Sequence, residues 1–541
     1  MVIIARLIWW QVARGDQLKS EAEKQYYETL QIPANRGEIE TSDGFPLVTN
    51  ETAYLLFAEL KKIQDANAAL KIANILDIPS ASISAKLNPD LYWTALFHKV
   101  PQGKIDEIKA LNLSGIGWSQ ENRRYYPEAS TAAHLLGFVG SDINGQDKGY
   151  FGLEGYYDLE LRGRPGSLRQ EKDIHGAPIL IGGRSEEPAQ DGRSLTLNLD
   201  RTIQYIVEKK LTQAIDKYGA KEGDVTIMDP FTGGILAMAS YPAYNPDEYS
   251  QYSPDIYKNP VITDVYEPGS TFKILILASA LDQNLVKPND IYHEDGPTQV
   301  GEYTIRTWND KYHGAETVTQ IIERSSNTGM IWVAQKLGRE KLLDYLGKFA
   351  IGQKTGIDLQ EEEETLLRPK EDWKEIDLAT VSFGQGIAVT PIQMVRAIAV
   401  VANGGKLMEP HVVNYISDAE GKKINIKPNI VRQVIKPETA SILKEIMVSA
   451  VDNGEAKWAK PKGYRIAGKT GTAQIPVAGH YDPKRTIASF VGFAPVDKPK
   501  FVMLVRLTEP QSSPWGSETA APLFFDISKE LFNYYGISPS E

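Results

Sequence analysis

The chain has 541 residues, more than one hydrophobic core supports, so two or three domains are expected. Its formal net charge of −11 leaves no dominant basic surface and argues against a nucleic-acid partner. The lack of cysteine excludes disulfides, thiolate catalysis and cysteine-bound zinc or iron–sulfur centres. The seven histidines lie far apart and form no His-Glu-x-x-His pattern, so we expect neither a metal site nor a cofactor.

The first stretch, Met1–Val12, is apolar apart from Arg6 and Gln11 and contains the adjacent Trp9 and Trp10. Tryptophan favours the membrane–water interface, but a helical span needs about 20 apolar residues. We interpret residues 1–12 as the remaining end of a single N-terminal membrane anchor that begins upstream. The first turns of a buried helix are the alternative.

The rest of the N-terminal half predicts mixed short elements. The polar pattern from Ala13 to Ile32 predicts a helix, and Pro46–Val48 predicts a short strand. A helical hairpin is expected over Asn50–Ile78. No motif that carries chemistry occurs in this half, and its scattered carboxylates are typical of a solvated surface.

Turn-forming residues crowd Gly183–Gly192, which predicts a boundary between a first domain, 13–193, and a second, 194–541. Helices are predicted near Ile203–Ile215, Val318–Leu337, Lys341–Phe349, Pro391–Ala402, Thr439–Val451 and Ala520–Phe532. Strands are predicted near Leu195–Leu199, Val225–Met228, Ile235–Ala239, Tyr464–Ala467, Ala488–Phe493 and Phe501–Arg506. This mixture predicts an α+β domain in which a sheet lobe and a helical lobe face a cleft.

Ser270 and Lys273 stand at the predicted start of an apolar helix, directly after Pro268 and Gly269. Three residues apart on a helix, their side chains project from one face of the first turn. A serine hydroxyl becomes a useful nucleophile when a base lies within hydrogen-bond distance. A lysine amine can be that base once burial or positive neighbours lower its pKa. Alone the pair is weak evidence, since an N-cap serine and a solvated lysine give the same pattern.

Two further polar motifs follow in the same predicted domain. Ser325-Ser326-Asn327 lies between helical patterns, where a hydroxyl and an amide can both face a cleft; a helix cap or turn is the alternative. Ala467–Ala473 predicts a strand whose glycines permit close approach of another backbone. Thr470 and Thr472 share one face of such a strand, so two hydroxyls beside a lysine indicate a carboxylate site; an ordinary strand with a tight turn is the alternative.

The order Ser-x-x-Lys, Ser-x-Asn, Lys-Thr-Gly within one domain resembles the penicillin-binding proteins and serine β-lactamases. Further stretches are similar to the transpeptidase domain of class B penicillin-binding proteins, namely Phe383–Gly386, Val389–Pro391, Gly468–Gln474 and Ser489–Pro495. The resemblance implies an antiparallel sheet flanked by helices plus a helical lobe. It also implies that an elongated, mixed α/β pedestal of the dimerisation-domain type precedes this catalytic domain.

The N-terminal half resembles the class B pedestal through a few matched residues, which are Arg36, Gly37, Gly44, Gly152, Leu153 and Glu154. It departs from the family at Thr41 and Ser42, where Asp-Arg is usual. The departure affects expectations about local pedestal contacts and leaves the catalytic motifs untouched.

The resemblance implies a role for each matched residue of the first two motifs. Ser270 is the expected nucleophile that forms an acyl-enzyme, and Lys273 is the expected base. Ser325 is expected to relay a proton to the leaving amine. Asn327 is expected to hold the substrate peptide and the Lys273 side chain.

The Lys-Thr-Gly strand is expected to complete the site. By resemblance, Lys469 keeps the proton relay poised and the cleft positive. Thr470, Gly471 and Thr472 are expected to bind the donor, with the two hydroxyls at its terminal carboxylate. The backbone N–H groups of Ser270 and Thr472 are the expected oxyanion hole.

The implied activity is peptidoglycan D,D-transpeptidation, with D-Ala-D-Ala stem peptides as donors, an amine of a neighbouring stem peptide as acceptor and β-lactams as covalent ligands. Ser-Ser-Asn and the compact N-terminal half resemble the division-type septal enzyme more than the elongation type. The implied partners are a membrane-embedded glycosyltransferase and other divisome proteins. The implied location is the cell membrane, with the catalytic domain extracytoplasmic.

Three alternatives stay open at this point. A β-lactamase shares the first half-reaction, but no carboxylate stands in a recognisable deacylation motif. A non-catalytic scaffold would be favoured by loss of a key residue, whereas Ser270, Lys273, Ser325 and Lys469 are all present. An elongation-type transpeptidase is the alternative for the cellular role. The acidic run Glu361–Glu364 is expected to be a solvated loop without a role.

Overall fold

The structure is a computed structural model that describes residues 2–88, 90–143, 145–172, 179, 183–477 and 480–539. The chain begins with the helix Val2–Ile8 and the π-helical turn Trp9–Ala13, followed by the helix Gly15–Tyr26. The side chains of the first two elements are exposed. In the described part of the chain, no helix has both the length and the hydropathy that crossing a membrane requires.

The N-terminal half is mixed α/β, as predicted. Its strands are Tyr27–Ile32, Ile39–Glu40, Pro46–Glu59, Trp93–Pro101, Ile116–Tyr125, Phe138–Ser141, Asp147–Tyr150, Gly166–Glu171 and Arg184–Glu187. Its helices are Ala68–Leu76, Ser80–Ser84, Gln102–Ala110, Ala133–Leu136, Gly152–Tyr156 and Asp158–Leu161. A small separate core around Ile72, Leu96 and Ile105 joins helices to the outer strands.

The predicted helical hairpin over Asn50–Ile78 is wrong. A strand of 14 residues, Pro46–Glu59, covers its first part, and the helix Ala68–Leu76 covers part of the remainder. The strand pairs with Trp93–Pro101 on one side and with Ile116–Tyr125 on the other. Its apolar run Ala53–Ala58 is compatible with the repeat of a helix and with that of a strand. Pairing on both edges therefore decides that it is a strand.

The predicted helix from Ala13 to Ile32 ends early. Residues Tyr27–Ile32 form a strand that pairs in antiparallel fashion with Gly166–Glu171. Tyr27, Thr29 and Ile32 are aromatic or β-branched and favour a strand, and pairing with a distant segment overrides the weak helix propensity of this stretch.

Two of the pedestal residues that carry the family resemblance, Arg36 and Glu154, meet in a buried ionic network. Arg36 donates through Nε to Glu154 at 2.7 Å and through Nη1 to Asp158 at 2.8 Å. Arg124 donates through Nε to the other oxygen of Glu154, at 2.7 Å. All four side chains are buried. Buried charges of this kind are stable only as a complete set, so the network specifies how these segments fit together.

We expect Glu154→Gln to destabilise the pedestal by about 3–5 kcal/mol, because it leaves two buried guanidinium groups without their shared carboxylate. Urea denaturation or the melting temperature measures the effect. Glu186→Gln is the control, since it removes only an exposed pair with Arg184, worth about 0–1 kcal/mol. Equal effects of the two substitutions would contradict a structural role for the network.

The second half is built on a five-stranded antiparallel sheet, which confirms the predicted α+β class. In spatial order its strands are Ile235–Tyr241, Glu222–Met228, Phe501–Thr508, His480–Ala494 and Ala467–Val477. The helices Arg201–Tyr218 and Ala520–Tyr534 cover one face through a core that contains Phe490 and Phe524. The helix Pro391–Ala402, buried at every residue, covers the other face.

A helical lobe stands beside this sheet, as expected. Its helices are Lys273–Asp282, Val318–Glu323, Asn327–Leu337, Arg339–Lys348, Glu375–Val381 and Pro437–Asn453, and its short strands are Ile291–Glu294, Thr298–Val300, Tyr303–Ile305 and Gly314–Thr317. The single helix predicted over Val318–Leu337 is therefore two helices, interrupted around Ser325. The strand predicted over Tyr464–Ala467 begins only at Ala467, and we call Ala467–Val477 the edge strand.

The two halves share a sheet at their junction. The strand Ser194–Leu197 pairs in parallel with Ile39–Glu40 of the pedestal and in antiparallel fashion with Val413–Ser417 of the second half. Lys423–Asn425 extends the same sheet. The N-terminal half is thus joined to the second half by backbone hydrogen bonds as well as by the chain itself.

The acidic run Glu361–Glu364 is not simply a solvated loop. Glu362 is 8% exposed. Its carboxylate accepts hydrogen bonds from the N–H and hydroxyl of Thr355, and from the N–H of Gly356 at 3.1 Å. The expectation of no role is therefore wrong for this residue, which holds the loop in place.

Candidate active site

Ser270 lies where a tight turn meets a buried helix. Gly269 has φ of +56°, a left-handed conformation that glycine adopts without steric penalty. The 3-10 turn Gly269–Phe272 leads into the helix Lys273–Asp282, all of whose residues are buried. Ser270 itself is partly exposed, so its hydroxyl can meet a substrate.

The stretch Phe383–Gly386 supports this turn from behind. The N–H of Gly269 donates to the carbonyl oxygen of Gly384 at 3.0 Å. A Cβ on Gly384 would lie 2.1 Å from the carbonyl oxygen of Gly269, far inside van der Waals contact. The two backbones can pack in this way only if residue 384 is glycine.

We expect Gly384→Ala to displace the Ser270 turn and to lower the rate of acylation by about 10²-fold, because small misplacement of a reacting group has effects of that size. Gly404→Ala is the matched control, since Gly404 has nearly the same φ but open space around its Cα. The rate of labelling by a fluorescent penicillin compares them. A similar small loss in both variants would show that backbone strain, not the contact with the Ser270 turn, is responsible.

Ser325 lies in the turn between the helices Val318–Glu323 and Asn327–Leu337. Its φ of +57° is unusual for a residue with a Cβ and marks local strain of the kind found at functional sites. Ser326 caps the second helix by accepting the N–H of Gly329 at 2.9 Å. This cap fixes the turn and thereby the direction of the Ser325 side chain.

Lys273 joins the turn to the nucleophile. Its Nζ lies 2.6 Å from the carbonyl oxygen of Ser325, 2.8 Å from Oδ1 of Asn327 and 3.2 Å from Oγ of Ser325. Oγ of Ser325 lies 2.9 Å from Oγ of Ser270. Among the residues that the structure describes, Nζ makes no hydrogen bond to Ser270 itself. The hydroxyl of Ser325 therefore connects the lysine with the nucleophile.

The electrostatic surroundings favour a neutral lysine. Burial lowers the pKa of Lys273 well below its usual value, and the positive charge of Lys469 lowers it further, while Glu455 and Glu294 act in the opposite direction. Burial also lowers the pKa of Lys469, to about 8, against the charge of Glu455. A buried lysine of depressed pKa can accept a proton near neutral pH.

The edge strand forms the opposite wall. Nζ of Lys469 donates to Oγ1 of Thr470 at 3.1 Å and to its carbonyl oxygen at 3.2 Å. The hydroxyl of Thr472 accepts the N–H of Gly516 at 3.0 Å. In the described part of the chain Lys469 makes no hydrogen bond to Ser325, so its effect on the opposite wall acts through charge.

Gly471 is a point of close approach within the edge strand. A Cβ there would lie 2.4 Å from Oγ of Ser489 on the neighbouring strand. In the same region, a Cβ on Gly269 would lie 3.0 Å from the carbonyl oxygen of Thr472. Ser270 and Thr472, whose N–H groups are the expected oxyanion donors, therefore belong to segments in direct contact.

Sequence reasoning missed two carboxylates near the site. Glu455 follows the helix Pro437–Asn453 and acts on both lysines through its charge. Glu294 accepts hydrogen bonds from the hydroxyls of Ser326 and Thr328, the latter at 2.8 Å. Neither glutamate stands in a motif, so nothing in the local sequence distinguishes it from a surface residue.

The cleft brings a partly exposed serine, a buried lysine of depressed pKa and a second hydroxyl together beside the edge of an antiparallel sheet. This fold and this site define a serine acyltransferase. The chain belongs to the penicillin-binding protein transpeptidase family. The family model of the penicillin binding protein transpeptidase domain matches residues 223–529, and that of the penicillin-binding protein dimerisation domain matches residues 31–197.

Named relatives cover nearly the whole chain. Stage V sporulation protein D of Bacillus subtilis is 34% identical over 548 residues, which span 100% of this chain and 84% of the relative. Peptidoglycan D,D-transpeptidase FtsI of Escherichia coli is 31% identical, over 99% of this chain and 90% of the relative. The crystal structure of a peptidoglycan synthetase from Bifidobacterium adolescentis superposes with a TM-score of 0.77 at 27% identity, over 95% of this chain and 98% of that one.

Proposed function

We propose that the protein is a peptidoglycan D,D-transpeptidase that works through an acyl-enzyme on Ser270. The observation that carries this proposal is the series Ser270 Oγ, Ser325 Oγ and Lys273 Nζ, with separations of 2.9 and 3.2 Å. Such a series can conduct the proton of the attacking hydroxyl to a buried amine. Membership of the transpeptidase family and similarity to FtsI support a donor stem peptide that ends in D-Ala-D-Ala.

The partners of Lys273 support its role as the base. A neutral amine has two N–H bonds and one lone pair. The carbonyl oxygen of Ser325 and Oδ1 of Asn327 can only accept, so they take the two N–H bonds. The remaining partner is the hydroxyl of Ser325, which lies 3.2 Å from Nζ and donates to Oγ of Ser270 at 2.9 Å. For the attack, both hydroxyls rotate so that Ser270 donates to Ser325 and Ser325 donates to the lone pair of Lys273, which completes the proposed proton path from nucleophile to base.

In the reaction we propose, Oγ of Ser270 forms a bond with the carbonyl carbon of the penultimate D-Ala. Its proton passes through Ser325 to Lys273, and the N–H groups of Ser270 and Thr472 stabilise the oxyanion, each worth about 10²–10³ in rate. The bond to the nitrogen of the terminal D-Ala then breaks, and the proton returns through Ser325 to this leaving amine. An amine of a neighbouring stem peptide attacks the ester carbonyl and gives a proton to Lys273, and the amide bond forms. The bond between the carbonyl carbon and Oγ of Ser270 breaks, and Lys273 returns the proton through Ser325 to that oxygen.

The edge strand is the proposed binding site of the donor. Thr470 and Thr472 would hold its terminal carboxylate, Gly471 leaves room for its backbone, and Lys469 supplies positive charge. Asn327 would bind the peptide from the opposite wall. A β-lactam with its own carboxylate presents the same groups, which supports covalent binding of penicillin at Ser270.

We also propose a septal role for this activity, with the elongation role as the alternative. Similarity to FtsI and to a stage V sporulation protein supports it. A membrane-embedded glycosyltransferase and other divisome proteins are the proposed partners. We propose that residues 1–12 belong to a membrane anchor, that 13–193 form the pedestal and that 194–541 form an extracytoplasmic catalytic domain; the exposed apolar side chains of the first helix support the anchor.

Incubation with a D-Ala-D-Ala stem peptide and an amine acceptor tests the proposed activity. Release of D-Ala together with a cross-linked peptide is the expected result. Release of D-Ala with only hydrolysed donor would indicate a hydrolase. No release of D-Ala, under conditions in which the chain is folded, would indicate a scaffold that has kept the motifs.

The pH dependence of acylation provides a prediction about the base. Glu455 raises the pKa of Lys273, so Glu455→Gln lowers that pKa further. Since protonated Lys273 cannot accept a proton, the acid limb of the acylation rate is expected to move to lower pH. Rates of penicillin labelling from pH 5 to 9 measure the limb. An unchanged or upward-shifted limb would contradict the assignment of Lys273.

The control for this experiment is Glu445→Gln. Glu445 lies on the helix Pro437–Asn453, which ends just before Glu455, but its side chain is exposed and paired with Arg465. Its charge is screened by solvent, so its removal is expected to leave the acid limb in place.

A further inference from the structure

A second cluster of ionisable side chains lies behind the Ser325 turn. Glu294, His313 and Glu316 bring their potential ligand atoms within 4.8 Å of one another. The strands Ile291–Glu294 and Gly314–Thr317 pair so that the two glutamates are diagonal neighbours on one face. Glu294 and Glu316 are 1% and 0% exposed, whereas His313 faces solvent.

Glu316 is incompletely satisfied. Its Oε1 is paired with Arg324. Its Oε2 is buried and has no hydrogen-bond partner among the described residues. A buried oxygen that carries charge and lacks a partner is costly, so such an atom points to a ligand.

The charges of the cluster are unbalanced. Two buried carboxylates face one guanidinium, that of Arg324, which is paired with Glu316. The nearby amine of Lys273, whose pKa burial lowers, is hydrogen-bonded in the proposed catalytic series and does not balance them. On Glu294, Oε1 accepts hydrogen bonds from two hydroxyl groups, while Oε2 accepts, from the residues that the structure describes, only the backbone N–H of His313, at 3.3 Å. One further positive charge beside Oε2 of Glu294 and Oε2 of Glu316 would balance the cluster.

We propose that Glu294, His313 and Glu316 bind one divalent cation of the zinc type, with water as the fourth ligand. Zinc accepts imidazole nitrogen together with carboxylate oxygen in four-coordinate sites and does not require cysteine. Calcium and magnesium prefer oxygen ligands alone. The exposed histidine leaves a side open to solvent, through which the ion can enter and a water can bind.

The cation would stabilise the turn that contains Ser325. Through its Oε1, Glu294 holds the hydroxyls of Ser326 and Thr328, which flank Asn327. Fixing Glu294 on a metal therefore fixes the turn that presents Ser325 and Asn327 to the cleft. The three ligands act as positioning residues and do not touch the substrate.

Zinc titration of the full chain tests the proposal. After treatment with EDTA and its removal, the wild type is expected to bind one equivalent from ZnCl2 in competition with a chromogenic zinc indicator. His313→Ala is expected to weaken binding at least about tenfold, and its exposed position makes the substitution safe for folding. His293→Ala removes an exposed histidine outside the cluster and is expected to bind as the wild type does.

A second measurement separates a metal site from a merely structural cluster. Zinc is expected to raise the melting temperature of the wild type and of His293→Ala, but not of His313→Ala. Failure of the wild type to bind one equivalent, or equal zinc affinity in the two histidine variants, would overturn the proposal. Full zinc affinity in Glu316→Gln would overturn it as well.

Discussion

Ser270→Ala is expected to abolish covalent acylation by penicillin completely, while the chain folds as the wild type does. The substitution removes only the oxygen that forms the new bond, and it leaves Lys273 with all three of its partners. Ser270 is partly exposed, so water can replace its contact with Ser325. Labelling with a fluorescent penicillin measures acylation, and the melting temperature reports the fold.

Ser279→Ala is the matched control for this loss. Ser279 lies on the helix Lys273–Asp282 that follows Ser270 and is buried; within the described part of the chain its hydroxyl donates only to the carbonyl oxygen of Leu275, at 2.7 Å. Its removal is expected to leave labelling unchanged. Persistent labelling of Ser270→Ala would mean that another nucleophile carries the reaction.

Lys273→Met is expected to lower the acylation rate by about 10²–10⁴, the usual contribution of a positioned general base. Methionine preserves much of the length and volume of the buried lysine and removes the amine. The hydroxyl series from Ser270 through Ser325 then has no proton acceptor at its end. Replacing a buried amine by an apolar group is also tolerated better than leaving a charge unpaired, so the fold should persist.

The rate of penicillin labelling and the melting temperature are measured for the same preparation of Lys273→Met. Lys444→Met is the control, because it removes a half-buried lysine that lies over the ring of Phe493, outside the catalytic hydrogen-bond series. A rate for Lys273→Met close to that of the wild type and of the control would remove Lys273 as the base.

The residues of the candidate site could be selected from the sequence because each stands in a short motif whose local structure can be predicted. Gly269 and the apolar run after Ser270 predict a turn that enters a buried helix. The polar Ser325-Ser326-Asn327 predicts a break between helices, and Lys469 stands in a predicted strand. That these three segments meet depends on sheet order and lobe packing, which no spacing specifies. The family resemblance supplied that step.

The proton path could not be read from the motifs. Spacing places Ser270 and Lys273 on one helical face, yet Ser325 connects them, because its carbonyl and hydroxyl oxygens both approach the amine. Glu455 and Glu294 were missed for a related reason. The role of a single carboxylate depends on which residues the fold places next to it, and the local sequence does not specify these.

The errors in the pedestal have a common physical cause. Pro46–Glu59 and Tyr27–Ile32 are strands because distant segments pair with them, and their own residues are compatible with a helix. By contrast, the strands near Val225–Met228 and Ile235–Ala239 were predicted correctly, since the glycine-containing turn between them and their apolar residues are local signals; in the structure they pair as Glu222–Met228 and Ile235–Tyr241. The burial of Glu362 likewise could not be predicted, because it is one of four consecutive glutamates, Glu361–Glu364.

Peptide mapping of the penicillin adduct by mass spectrometry tests the central claim most directly. The intact wild-type chain is expected to gain the mass of one penicillin, which persists after the free drug is removed. Proteolysis should locate that mass on the peptide that contains Ser270. Rapid turnover of the drug without a lasting adduct, or an adduct on a peptide that lacks Ser270, would contradict the account.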